Sequence, residues 1–194
     1  HNLPVPKFYL LNNAFELEEL CRLLGYPQQP VCLKVTEGSG SRGVRIIDAN
    51  KSRYDLFIND KPSSFYISLK ELTEVLMEKN ELPEIIVMEY LPGIEYTVDL
   101  LADKGEVLYI AGKRNHVSLM SIAQESTLAE EQSAYKLCAE IVRLMNLDGN
   151  IGFDFLYDAE GIPILMDLNP RITATISLCA AGGLNLPYLR IKQL

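Results

Sequence analysis

The chain has 194 residues, 48% hydrophobic and 23% charged, enough apolar material for a full core in one domain or two small ones. Its net charge of −8 argues against a nucleic-acid surface, so any polyanion must be held by a local positive cluster against the overall field. Cysteines at 21, 32, 138 and 179 lack metal-ligand spacing, no signal peptide is recognisable and no apolar run could span a bilayer; reduced thiols in a cytoplasmic protein without a membrane partner are expected.

Leu3-Pro4-Val5-Pro6 leads straight into Lys7-Phe8-Tyr9-Leu10-Leu11, which reads as a strand inside a larger protein, so a fragment is expected. Asn13-Ala14-Phe15-Glu16 is close to a capping box. Leu17, Leu20, Cys21 and Leu24 then form a helical apolar stripe that Gly25 and Pro27 end. The chain returns as a strand at Val31 to Val35.

That strand carries Lys34 and runs into Gly38-Ser39-Gly40-Ser41-Arg42-Gly43, whose glycines match G-x-G-x-x-G. A dinucleotide fold needs a helix to begin at the third glycine, whereas Val44-Arg45-Ile46-Ile47 is β-branched and strand-like. The loop therefore joins two strands, as a flap whose backbone N–H groups can close over phosphates, with Lys34 supplying a point charge. A plain Gly/Ser hairpin turn is the competing reading.

Residues 51 to 67 are polar and irregular with some helical content. Ser68-Leu69-Lys70-Glu71 is a second capping box, opening a helix to about Lys79. From Glu84 to Leu101 run two strands broken by Leu91-Pro92-Gly93, a natural hinge between lobes. Asp103-Lys104-Gly105 turns into a strand from Val107 to Lys113, and Lys113-Arg114-Asn115-His116 forms a basic patch. Apolar residues at helical spacing predict a helix from about Leu128 to Met145, closed by Asp148-Gly149, and a short helix is expected over Ile176 to Ala181.

Gly152 to Arg171 reads as a β-hairpin about the turn at 157–161. Side chains two apart on a strand share a face, so Asp167 and Asn169 point the same way, with Asp154 roughly opposite on the first strand and Arg171 just beyond. Oxygen ligands without His or Cys suit Mg²⁺ or Mn²⁺ over zinc, and Mg²⁺ is usually held by one or two carboxylates plus substrate phosphates. Ordinary surface acids are the alternative, but the Ile, Leu and Met around Asp167 argue burial, and a buried carboxylate needs a partner.

Lys34 before a Gly-rich flap, then Met88-Glu89-Tyr90-Leu91-Pro92-Gly93-Ile94-Glu95-Tyr96-Thr97-Val98-Asp99, Gly152-Phe153-Asp154-Phe155 and Met166-Asp167-Leu168-Asn169-Pro170-Arg171, resembles the ATP-grasp family. The likeness runs from Leu3 to about Leu189 and is nearest to carbamoyl-phosphate synthase large-subunit-like members. It implies an α+β fold of two lobes with mostly antiparallel sheets, here 1–88 and 89–194, clasping ATP. It implies that Lys34 and the flap residues Gly38, Ser39, Gly40, Ser41 and Gly43 bind phosphates. Glu89, Tyr90 and Leu91 match the adenine-reading hinge, and Glu95 matches the acid on the ribose. Asp154, Asp167 and Asn169 match the metal ligands, and Arg171 matches the arginine facing the transferred phosphoryl group. Lys7 and Arg114 are weaker matches to phosphate or substrate contacts, for which a solvated surface charge is an equal reading.

The activity implied is transfer of the γ-phosphoryl group to a carboxylate, or to bicarbonate and carbamate, followed by attack of an amine on the acyl phosphate. Small carboxylate and amine substrates are the expected partners, and a homo-oligomer stays open. Two departures from the family pattern bear on this. Asp154 and Asp167 are both the shorter acid where one position usually carries Glu or Gln, and the Rossmann-like domain that normally precedes this stretch is not in the sequence. A nucleotide-binding module without chemistry and a phosphotransferase that does not ligate are the alternatives.

Overall fold

The computed structural model describes residues 3–38, 40–61, 64–119 and 122–194. The chain divides into two compact units, one of Pro6–Tyr90 and one of Leu91–Leu194 joined by the amino-terminal residues to Val5. Those first residues go with the later unit because the Leu165 N–H donates to the Pro4 carbonyl at 3.0 Å, and Leu3 packs against that unit's core. This differs from the first lobe of 1–88 that the sequence leads one to expect.

The Pro6–Tyr90 unit contains β1 (Phe8–Leu11), a 3-10 turn (Ala14–Glu16), α1 (Leu17–Leu23), β2 (Val31–Val35), β3 (Val44–Ile47), α2 (Arg53–Asn59), β4 (Tyr66–Ile67), α3 (Leu69–Met77) and β5 (Ile85–Glu89). Its sheet has the order β1-β5-β2-β3-β4, antiparallel except for the parallel β3–β4 pair. Asn13 caps the 3-10 turn by accepting from the Phe15 N–H at 3.1 Å, and Ser68 caps α3 by accepting from the Glu71 N–H at 3.2 Å. Leu17, Cys21 and Leu24 face Val31, Leu33, Ile47, Leu72, Ile85 and Val87, so the alternating strand residues and the helical stripe close one core.

The second unit contains β6 (Glu95–Asp103), β7 (Glu106–Leu119), β8 (Ile122–Leu128), α4 (Gln132–Met145), β9 (Gly149–Tyr157), β10 (Pro163–Asn169), α5 (Ile176–Ala181) and α6 (Leu186–Gln193). The sheet is antiparallel throughout, in the order β10-β9-β6-β7-β8. Tyr96, Val98 and Leu100 of β6 and Ile151, Phe153 and Phe155 of β9 bury one face against Ala134, Cys138, Ile141 and Val142 of α4. The opposite face of the same strands carries Glu95, Thr97, Asp99 and Asp154, with Leu101 buried at its far end.

Three boundaries differ from the sequence expectation. β7 continues past Lys113 to Leu119 and pairs with β8, an edge strand whose Gln-Glu-Ser-Thr composition hides it. α4 starts at Gln132, because Leu128 ends β8, and it closes at Asn146, which takes the left-handed conformation (φ 49°) ahead of Asp148-Gly149. α6 follows the Gly182-Gly183 break: Asn185 accepts from the Tyr188 N–H at 3.2 Å, and Pro187 sits in the first turn, where its missing N–H costs nothing.

Candidate active site

Register places the polar face. Thr97 pairs with Asp154 and Lys113, Asp99 pairs with Gly152 and Ala111, and Glu95 pairs with Leu156 and Asn115. On the outer strand Asp167 pairs with Asp154 and Asn169 with Gly152, with a bulge between Leu165 and Asp167. Directly paired residues share a face, so Glu95, Thr97, Asp99, Lys113, Asn115, Asp154, Asp167 and Asn169 line one surface of the sheet.

A hydrogen-bonded chain crosses that surface. Ser126 Oγ donates to Asn115 Oδ1 (2.8 Å), Asn115 Nδ2 to Thr97 Oγ1 (3.0 Å) and Thr97 Oγ1 to Asp154 Oδ1 (2.8 Å). Asn169 Nδ2 donates to the other Asp154 oxygen at 3.0 Å, and Arg171 Nη2 donates to Asn169 Oδ1 at 3.0 Å. The structure thus brings Asp154, Asp167, Asn169 and Arg171 together. Burial holds the Asp154 carboxyl above its ordinary range; the Thr97 hydrogen bond opposes this, while the charges of Asp167 and Asp99 reinforce it.

Among the described residues, no group of three His, Cys, Asp or Glu side chains is arranged to hold a metal. Two paired carboxylates nevertheless offer hard oxygen ligands, and Asn169 would join them by turning its amide, whose nitrogen here faces Asp154 and whose oxygen accepts from Arg171. The donor chemistry fits Mg²⁺ completed by phosphate oxygens. The residues that would hold it are Asp154, Asp167 and Asn169.

Glu95 lies on the same face, its Oε2 accepting from Ser118 Oγ. Leu91 is half-buried where this unit begins. Arg114 is not part of the polar surface. It pairs with Tyr96, on the α4 side of the sheet, and its guanidinium forms an ion pair with Glu131, the residue that precedes α4. Lys113 and Asn115, on either side of it in sequence, face the carboxylates instead.

In the other unit, Lys34 lies on β2 opposite Val44, and the glycine segment joins β2 to β3 as a strand–loop–strand element. Gly40 and Gly43 take positive φ (60° and 76°), as does Ser41 (59°), a backbone that carries N–H groups around a tight concave turn. A Cβ on Gly38 would lie 2.7 Å from the Arg42 carbonyl oxygen, so the loop closes on itself there. Ser39 lies outside the described residues. Glu89 accepts the Lys7 N–H through Oε1 (2.8 Å) and donates its own N–H to the Lys7 carbonyl (3.0 Å). Burial raises the Tyr90 phenol, with Tyr66 beside it adding to the effect. The Lys7 ammonium is turned to the last carbonyls of α1, donating to Leu23 O at 3.2 Å, where the helix dipole favours a cation.

Thr97, Asp99, Lys113, Asn115, Thr173 and Thr175 also bring polar groups to this face; the sequence offers Thr97 and Asp99 only within the family motif and Lys113 and Asn115 only within a basic patch. The alternation Glu95, Thr97, Asp99 was visible in the chain; the placement of Lys113 needed the β6–β7 register.

The family model described as "ATP-grasp in the biosynthetic pathway with Ter operon" matches residues 81–194, more than half of the chain. The chain belongs to the ATP-grasp family. Its ATP-grasp relatives include the arginine-specific large chain of carbamoyl phosphate synthase from Halalkalibacterium halodurans, 25% identical over 174 residues, covering 84% of this chain and 14% of that protein. Another is D-alanine–D-alanine ligase from Gloeobacter violaceus, 24% identical over 191 residues, covering 89% of this chain and 56% of the ligase. The curated relatives matched are longer: the chain spans between 14% and 56% of their length. Biotin carboxylase from Campylobacter jejuni, solved as a β,γ-ATP complex, superposes with a TM-score of 0.71 at 18% identity, covering 98% of this chain and 42% of that one. The ATP-grasp fold, with its two mostly antiparallel sheets and flanking helices, is therefore shared. Among the described residues no helix is long and apolar enough to cross a membrane.

Proposed function

We propose that this chain is the core of an ATP- and Mg²⁺-dependent carboxylate–amine ligase, or of a carbamoyl-phosphate-synthase-like ligase, working through an acyl phosphate. The observation that carries the reading is the cross-strand pair Asp154–Asp167 with Asn169 and Arg171 beside it on the polar sheet face. Membership of a family of ATP-dependent ligases supports it.

In this reading a substrate carboxylate oxygen attacks the γ-phosphorus, the bond to the β,γ-bridging oxygen breaks, and ADP leaves. An amine nitrogen then attacks the acyl carbon, phosphate departs with the bonding pair, and the amine proton passes to solvent. The cation would neutralise phosphate charge. The chain's own residues position and stabilise: phosphoryl transfer needs in-line placement and charge compensation more than covalent help from the protein. Arg171, held by Asn169, would meet the transferred group. Lys34 and the loop from Gly38 to Gly43 would hold phosphates, Glu89, Tyr90 and Leu91 the adenine edge, and Glu95 the ribose. Lys7 and Arg114 have structural partners and no part in the reading. The cysteines are free thiols, which fits a reducing cytoplasmic setting.

The test is to incubate the full-length protein with ATP, Mg²⁺ and panels of carboxylates and amines, following ADP and joined product together. Amide product in proportion to ADP is expected. ADP without any joined product would mark a phosphotransferase, and no ADP with any acceptor would mark a binding module.

A further inference from the structure

Beneath the segment that follows β10 lies an ion pair that the proposed chemistry does not use. Lys113 and Asp99 have side-chain exposures of 0% and 1%, and the Lys113 ammonium donates to Asp99 Oδ2. The same ammonium donates to Thr175 Oγ1 at 2.6 Å, while Thr173 Oγ1 donates to Asp99 Oδ1 at 2.7 Å. Both hydroxyls belong to the stretch between Arg171 and α5.

Gly152 supplies the seat for that stretch. It stands opposite Asp99 and Asn169 in the sheet, and a Cβ there would lie 2.2 Å from Thr173 Cγ2. The segment is thus pressed onto the sheet where a side chain is missing and held by a hydroxyl on each side. A buried ion pair is rarely more stabilising than apolar groups of the same shape, because desolvation consumes the attraction. Here each charge spends a further hydrogen bond on the loop.

We infer that Lys113 and Asp99 are positioning residues: a buried latch that fixes the Arg171–Thr175 segment, and with it the Arg171 guanidinium, against the polar sheet face. The inference rests on the function proposed above for its catalytic consequence, but the latch is a property of the fold and can be measured without turnover.

Two variants separate the latch from folding. Thr173→Val with Thr175→Val removes both loop hydroxyls and leaves the ion pair intact; Lys113→Met with Asp99→Leu removes both charges together, so neither is orphaned. Amide hydrogen exchange in the full-length protein is expected to quicken by about tenfold or more at residues 171–175 in both, while β9 and β10 keep wild-type protection. With the acceptor that supports turnover, kcat should fall about tenfold to a hundredfold with KM for ATP within about threefold of wild type, as expected for a misplaced group that acts in the transition state. Wild-type exchange at 171–175 in the folded threonine variant would overturn the latch, whatever the activity. Faster exchange with unchanged kcat, or a loss carried by KM alone, would overturn its positioning role. A wild-type protein without ADP formation would count against the proposed function, and the exchange result would still decide the latch.

Discussion

Arg171 reaches Asn169 through Nη2 at 3.0 Å and the carbonyl of its neighbour Ile172 through Nη1 at 3.1 Å, so its guanidinium is exposed yet directed. A cation placed to meet charge that develops during transfer contributes more to the transition state than to nucleotide binding. Arg171→Ala is therefore expected to lower kcat about 10²- to 10³-fold while KM for ATP changes little, by analogy with loss of a single oxyanion donor; a KM effect alone would show that it serves binding. Arg114 gives the contrasting case. Strand alternation turns it to the α4 side and onto Glu131, so steady-state kinetics of Arg114→Ala should match wild type in both kcat and KM. The bulge between Leu165 and Asp167, which strand period and one turn do not reveal, sets Asp167 opposite Asp154 rather than Phe153, although the site's residue types, Asp154, Asp167, Asn169 and Arg171, were legible in the sequence. Lys113 was not, since choosing between it and Arg114 depends on which face β7 presents, and that is fixed by pairing with β6.

Most elements were legible because local chemistry agreed with the final packing. Ser68 caps α3 as its spacing implies, and β2, β3 and α5 occupy the stretches their patterns indicate. β8 escaped because an edge strand with one solvated face has little apolar alternation to display, and α6 escaped because Leu186-Pro187-Tyr188 resembles a break until Asn185 is seen to cap it. α6 is tied to the turn before β9 by Arg190, which donates to Asp148 at 3.1 and 2.9 Å. Those hydrogen bonds hold the Asp148 carboxyl below its ordinary value of 3.8. An acid depressed by folding adds stability above its unfolded value and loses it as pH falls through the folded one. Arg190→Met should accordingly unfold at lower urea than wild type at pH 7, by a small margin because the pair is exposed, and the two midpoints should converge below about pH 3.8. A difference that persists undiminished at pH 2 would mean that α6 is held by packing alone.

Each unit has its own sheet and its own buried core, and the residues proposed for the site are divided accordingly: the strand–loop–strand element with Lys34 in one, the carboxylate face with Arg171 in the other. The Leu91-Pro92-Gly93 break suggests lobes of 1–88 and 89–194, whereas the compact units are Pro6–Tyr90 and Leu91–Leu194 with the residues to Val5. The return of the amino-terminal residues to the later unit was not legible in the sequence, because it rests on a backbone hydrogen bond between Pro4 and Leu165, far apart in sequence. On the function proposed above, the carboxylate face binds a cation together with a nucleoside triphosphate. Thermal unfolding with a non-hydrolysable ATP analogue, with and without Mg²⁺, tests that binding most directly, on wild type and on Asp167→Asn with Asn169→Ala. A ligand that binds only the folded state at a hundred times its Kd stabilises by about 2.7 kcal/mol, which moves Tm by several degrees. The expected result is a shift that requires Mg²⁺ in wild type and is lost in the variant; an equal, Mg²⁺-dependent shift in both proteins would contradict the assignment of the metal and nucleotide to this face.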